Sequence, residues 1–218
     1  DGNAAPPAGL SENDGIAFNG CFPLGMGFVV SASEAADWIR KDPRNAEVLF
    51  PFVNGEDLSS RPDSTASRWI IDFQSKTAEE AQSYAGAWHR VEQTVKPERE
   101  RYSESRPNLW QRWWQFAEKR PALRAATKGL DEVIVMTIVS NTLQPAMLDR
   151  GAVFSHAVEV FASGSHALLA TLCSTVHLAW TQENTSSLET RLRYAPSDVF
   201  LTLPRPPETS ELHEIGRT

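Results

Sequence analysis

Cysteine is scarce, with two in 218 residues. Cys21 and Cys173 lie far apart, and neither has the closely spaced companion that a zinc site or a disulfide framework requires. Both are expected to be free thiols in a reducing cytoplasm. No Gly-Lys-Ser/Thr phosphate loop and no Gly-x-Ser-x-Gly nucleophile turn occurs. The five histidines, His89, His156, His166, His177 and His213, are scattered. The acidic residues Glu56, Asp57 and Asp63 lack further ligands at a recognised spacing, so no metal site is expected. No apolar run reaches the roughly 18 residues a membrane helix needs. The chain opens on Asp1 with no basic leader ahead of an apolar stretch, and is expected to be a soluble, cytoplasmic piece of a longer protein. With no nucleophile, base, metal or cofactor set, it is expected not to be catalytic by itself.

What is present is ordinary globular composition, 41% hydrophobic and 22% charged, with an uneven charge distribution. The net charge is -7, yet residues 90–128 hold 10 Lys and Arg against 5 Asp and Glu. Residues 1–89 hold 6 against 13. A basic block inside an acidic chain suits a protein that meets a phosphate backbone on one face. A solvated charged helix is the competing reading.

Residues 1–15 are polar and rich in Gly, Pro and Asn, which predicts a linker or poorly ordered arm. Two short strands broken by glycines are expected in 16–30, then a helix over 31–42 capped by Ser31 or Ser33. A strand over 47–58 should turn at Asn54-Gly55, and 68–73 should be a half-buried strand. Thr77 and Glu80 form a capping box ahead of Ala81, Tyr84, Trp88, Val91 and Val95, predicting one amphipathic helix over 78–95. A loop over 96–108 precedes a helix over 109–130, broken at Pro121 and ended by Gly129. Runs of Val, Ile and Phe over 132–140 and 152–162 predict two central strands. A buried helix over 166–180, capped by Ser163 or Ser165, and a last extended segment over 192–204 complete the order. The fold class expected is α+β, a mixed β-sheet with packed helices. The boundaries read as an arm over 1–15, a strand-rich connector over 16–76, a main domain over 77–206 and the start of a tail over 207–218.

Four tryptophans, Trp88, Trp110, Trp113 and Trp114, fall in or beside the basic block. At helical spacing the last three share a face, the pattern of a packing stripe, which leaves Arg112, Arg120 and Arg124 on other faces to meet phosphate. The segment Ser140–Gln144 is a polar strand-end loop, and Asn and Gln pair bidentately with adenine. On residue chemistry alone it also fits a plain turn. The glycines of FNGCFPLGMGF suggest a cofactor loop, but no helix opens directly after them, so tight turns are expected.

The order of these segments carries more than any one of them. FNGCFPLGMGF, AEVLFPFVNGEDL, RWIIDF, VKPER, the Trp113-Trp114 pair with KRPAL, VFSHAVEVFA and TRLRYAPSDVFLTLPRP together resemble the carboxyl-terminal region of MmeI-like restriction-modification adenine methyltransferases, over roughly residues 16–206. The resemblance implies a target-recognition domain whose parent uses S-adenosylmethionine to methylate N6 of adenine, and in some relatives also cuts DNA. The Asn-Pro-Pro-aromatic motif of the methyltransferase is absent, so this chain looks like the recognition part alone. By resemblance the base-reading positions are Asn141, Thr142 and Gln144. The phosphate contacts expected are Arg106, Arg112, Arg120, Arg124, Arg191 and Arg193. The partners implied are double-stranded DNA and the methyltransferase domain of the same polypeptide. The alternative is a structural docking module whose tryptophan face binds that methyltransferase without touching DNA.

Overall fold

The computed structural model describes residues 7–185, 187–188 and 191–218, with the side chains of 187, 188 and 191 outside the description. The strands are β1 (Ala17–Asn19), β2 (Val29–Val30), β3 (Leu49–Val53), β4 (Arg68–Ile71), β5 (Glu132–Thr137), β6 (Val139–Ser140), β7 (Ala146–Asp149), β8 (Val153–Phe154), β9 (Val158–Phe161), β10 (Ser187–Leu188) and β11 (Arg191–Arg193). A central antiparallel sheet has the order β1-β9-β5-β7. A second runs β2-β4-β3-β8 and is mixed, because β8 lies parallel to β3. A small third sheet is β10-β11-β6. The fold is α+β, as the sequence implies.

The run EVIVMT is apolar at successive positions because β5 is covered on both faces. Side chains alternate along a strand. Ile134 and Met136 therefore join Phe161, Leu168, Leu172, Tyr194 and Phe200 in one layer. Val133 and Val135 join Val158, Val160, Val53, Leu58, Leu123 and Phe154 in the other. The segment 152–162 is two strands rather than one. A turn at Ser155–Ala157, held by Ser155 N–H on Val53 O (2.9 Å), sends β8 to the second sheet and β9 to the central one. Residues before 77 are thus hydrogen-bonded to residues after 150. The connection between the central strands also contributes β7, which its polar start concealed.

The helices are α1 (Ala32–Lys41), α2 (Gly55–Ser60), α3 (Ala78–Gln82), α4 (Ala85–Thr94), α5 (Lys96–Glu100), α6 (Pro107–Gln111), α7 (Pro121–Ala126), α8 (His166–Leu172), α9 (Thr175–Asn184) and α10 (Ser210–Arg217). Ser31, Thr77 and Ser165 cap α1, α3 and α8, the first two in full capping boxes. Asn54 does not make a hairpin turn. Its side chain accepts from Glu56 and Asp57 N–H and starts α2, since Asp57 returns the bond to Asn54 N–H.

Several long helices expected from periodicity are broken. The 78–95 helix divides at Tyr84, whose hydroxyl reaches Glu47 (2.5 Å) while its backbone leaves helical values. The expected loop at 96–108 instead holds α5 and the first turn of α6, each with a proline where an N–H is not needed. The helix expected over 109–130 is absent between Arg112 and Arg120, where Glu118 exchanges backbone hydrogen bonds with Phe22 and Arg120 takes a left-handed φ of 51°. Trp110, Trp113 and Trp114 therefore share no helix face, although all three pack with Trp88 on one core cluster. The 166–180 helix splits at Ser174, which caps α9, and the expected extended tail turns over 196–202.

Both ends are tied down where they are described. Within the expected arm, Asn13 is buried, and its amide donates to Phe200 O (2.8 Å) and Leu203 O (2.9 Å). In the tail, α10 lies on α8, with Gly216 so close to His166 that an added Cβ would stand 1.9 Å from its carbonyl oxygen.

Candidate nucleic-acid interface

The Ser140–Gln144 segment leaves the central sheet at the end where Thr137 pairs with Val158. Its root is fixed twice. Ile138 N–H donates to Ala157 O (3.0 Å), and Ile138 O accepts from Tyr194 N–H (2.8 Å). Thr142 N–H donates to Ser140 Oγ (3.2 Å), which tightens the turn. Leu143 packs against the core layer of Tyr194 and Phe200, while Asn141, Thr142 and Gln144 are exposed. One apolar residue thus holds the loop down and three polar ones face solvent.

Pairing of β6 with β11 sets Arg193 opposite Val139 and Leu192 opposite Ser140. Arg193 is exposed, so a guanidinium stands beside the root of the polar loop. Backbone pairing carries Arg191 into the same ribbon, and its side chain lies outside the described residues.

The arginines of the basic block divide. Arg106 and Arg112 are exposed, the former over the Tyr102 ring at 5.7 Å. Arg120 donates through Nε to Gly20 O (3.2 Å) and pairs with Glu118. Gly20 N–H in turn donates to Val158 O (2.9 Å), so Arg120 stands at the sheet end from which the polar loop departs. Arg124 faces inward instead. It pairs with Asp72 at 2.5 Å, where Asp72 is 1% exposed, and donates through Nε to Lys119 O (2.9 Å). That guanidinium, 32% exposed on α7, is tied to a buried carboxylate rather than left free.

Two hollows of about 560 and 600 Å³ flank the segment that replaces the expected helix. Both are lined by Arg112, Gln115 and Lys119; the first adds Arg106, Phe22 and Phe116, and the second Lys76 and Trp114. The Phe22 ring lies 4.5 Å from that of His156, in the turn whose Ala157 holds Ile138. Through Phe22 the first hollow borders the 155–157 turn, to which Ile138 is hydrogen-bonded. Sequence reading missed Lys119 and Gln115, although the single Gln inside WWQF was a visible signal.

Beneath this end of the sheet, Glu159 projects from β9 opposite Met136 and Asn19. It is fully buried, and neither carboxylate oxygen has a hydrogen-bond partner among the described residues. Burial pushes its carboxyl up to about 8, against a smaller downward pull from Arg120. The group is protonated at neutral pH. Burial, reinforced by Glu159, raises the Tyr194 hydroxyl. Burial lowers His177, which is neutral: its Nδ1–H donates to Leu172 O (2.7 Å) and its Nε2 accepts from Tyr194 (3.0 Å). A lone Glu in the run AVEVF was the sequence signal for this site, and periodicity cannot tell it from an edge residue.

Among the described residues no group of three or more His, Cys, Asp or Glu is arranged to hold a metal ion, and no helix is long and apolar enough to cross a membrane. Cys21 and Cys173 are free thiols. The glycine segment packs closely against the rest of the chain. A Cβ at Gly20 would lie 2.1 Å from Ser155 O, and one at Gly27 2.6 Å from Thr94 Oγ1, so these glycines are filled by the protein itself. The tryptophans are likewise spent on the core: Trp113 is 8% exposed and lies 4.8 Å from Trp88, ring to ring.

No curated protein matches the sequence. Among solved structures, the chain superposes on the Type IIL restriction-modification enzyme MmeI, determined in complex with DNA, with a TM-score of 0.73 and 18% identity. The match covers 98% of this chain and 28% of that one, so the chain spans under a third of the enzyme it resembles. The family model described as MmeI, target recognition domain, matches residues 17–207. With nearly its whole length inside that match, the chain belongs to the MmeI target recognition domain family.

Proposed function

We propose that this chain reads the sequence of double-stranded DNA, as the target-recognition part of a restriction-modification N6-adenine methyltransferase. One observation carries the reading: β6 and β11 pair so that the exposed Asn141, Thr142 and Gln144 stand beside Arg193 on an anchored loop. Groups that read bases must be held by a rigid support and accompanied by cations that fix register on the phosphates. The loop has the first through Leu143 and Ile138, and the second through Arg193 and Arg120. Arg106 and Arg112 supply further exposed guanidinium groups. Membership of the target-recognition family and the fold shared with MmeI support the same reading. The methyltransferase domain of the same polypeptide, with S-adenosylmethionine as its cofactor, is the partner this reading implies. Its chemistry takes place outside this chain, and the residues described here contribute binding and orientation only.

The test is selection of a preferred duplex from a random pool, followed by Asn141→Ala and Gln144→Ala. Each bidentate base contact accounts for about 1–3 kcal/mol of discrimination, so each substitution should cut the preference about 5- to 150-fold while leaving binding to unrelated duplexes unchanged. Absence of binding to any duplex pool at about 50 mM salt, where backbone contacts are strongest, would overturn the reading.

A further inference from the structure

We infer that the ridge carrying Arg112, Gln115 and Lys119 is a preorganised seat for a phosphodiester anion, placed so that the DNA backbone crosses between the two hollows on either side of it. The inference rests on the DNA reading above and adds what that reading lacks: the path of the backbone, and a lysine and a glutamine that hold it.

The seat is built from the inside. Gln115 is 5% exposed, and its Nε2 donates to Lys76 O (2.8 Å), a carbonyl that also accepts from Trp114 Nε1 (3.0 Å). One of its two amide N–H donors is so used, which orients the amide, and its oxygen accepts from Lys119 Nζ (2.9 Å). One of three ammonium donors is taken and two remain. The Lys119 carbonyl meanwhile accepts from Arg124, which is pinned to buried Asp72. Both ends of Lys119 are therefore fixed before any ligand arrives, and less freedom is lost on binding.

The electrostatics agree. Among the described residues no carboxylate forms an ion pair with Arg106, Arg112, Lys119 or Lys76, in a chain of net charge -7. Glu118 at the edge of the first hollow is already paired with Arg120, and Glu79 is the carboxylate lining the second. Cations left unpaired around one ridge, with Phe22, Leu109 and Phe116 as apolar wall, match alternating phosphate and deoxyribose better than a small free anion.

The experiment measures duplex affinity of the full chain by fluorescence anisotropy from about 50 to about 200 mM salt, for the parent, R112Q/K119M, K119R and Q115M. A titration with inorganic phosphate, followed by amide chemical shifts, runs in parallel. Losing two phosphate contacts should lower the slope of log affinity against log salt by about 1.8, equally for preferred and unrelated duplexes. K119R keeps the cation and should keep the slope. Q115M should weaken affinity with the slope retained, because the charge remains while its position is lost. If only the phosphate shifts vanish in R112Q/K119M and the duplex slope stands, the seat takes a free anion rather than the backbone. If slope and phosphate shifts both survive the double substitution, the inference is overturned. A parent chain without base preference whose slope still falls in R112Q/K119M would count against the polar loop and leave the seat standing.

Discussion

Replacing Glu159 by glutamine keeps the shape of the buried side chain and removes its proton equilibrium. In the folded chain the carboxyl is raised from its ordinary 4.5 to about 8, with burial as the main cause. Between those values the folded state keeps a proton that the unfolded state has released, so stability declines as pH rises and levels off above about 8. At about 1.4 kcal/mol per pH unit, the window from about pH 5 to about pH 9 spans about 4 kcal/mol. Urea unfolding of both proteins across that range measures it. The stability of Glu159→Gln relative to the parent should rise with pH by about that amount, a large part of the 5–15 kcal/mol typical of a domain. Two curves that stay parallel from pH 5 to pH 9 would show that Glu159 is solvated or partnered, and the description of this end of the sheet would fall with it.

Two further outcomes follow from the packing. Arg124→Met leaves Asp72, 1% exposed, without its ion pair, and should lower unfolding stability by about 3 kcal/mol, whereas R112Q should leave the urea midpoint unchanged. Equal effects from the two substitutions would contradict the contrast between Arg124, tied to a buried carboxylate, and the exposed Arg112. Gly216→Ala forces a methyl group against the His166 carbonyl, so α10 should leave α8, and its amides should exchange with solvent orders of magnitude faster. Unchanged protection would mean that the two helices can separate slightly without undocking.

How far the site could be read in advance varies with the range of the interactions behind it. Thr77 with Glu80 and Ser31 with Glu34 are contacts three residues apart, and their capping boxes form where the sequence places them. The polar loop was legible because it interrupts the apolar run that makes β5. Arg124 was not, because Asp72 lies 52 residues away and its carboxylate turns inward from the end of a strand. Lys119 and Gln115 were concealed by a helical period that runs through Trp110, Trp113 and Trp114. Those rings pack on one core cluster without sharing a helix, Trp114 held by Lys76 O and the segment by the exchange of backbone bonds between Phe22 and Glu118.

By itself the amino-acid order determined the capping boxes at Ser31 and Thr77, the two buried central strands and the family to which the chain belongs. Each of these depends on neighbours a few residues apart, or on the presence of a residue rather than its position. Tertiary structure alone decided which arginines remain in solvent, where the long helices break, and that Glu159 is sealed in the core. Hydrogen bonding and desolvation between distant segments set the charge and freedom of a side chain, and those segments meet only once the sheets have closed.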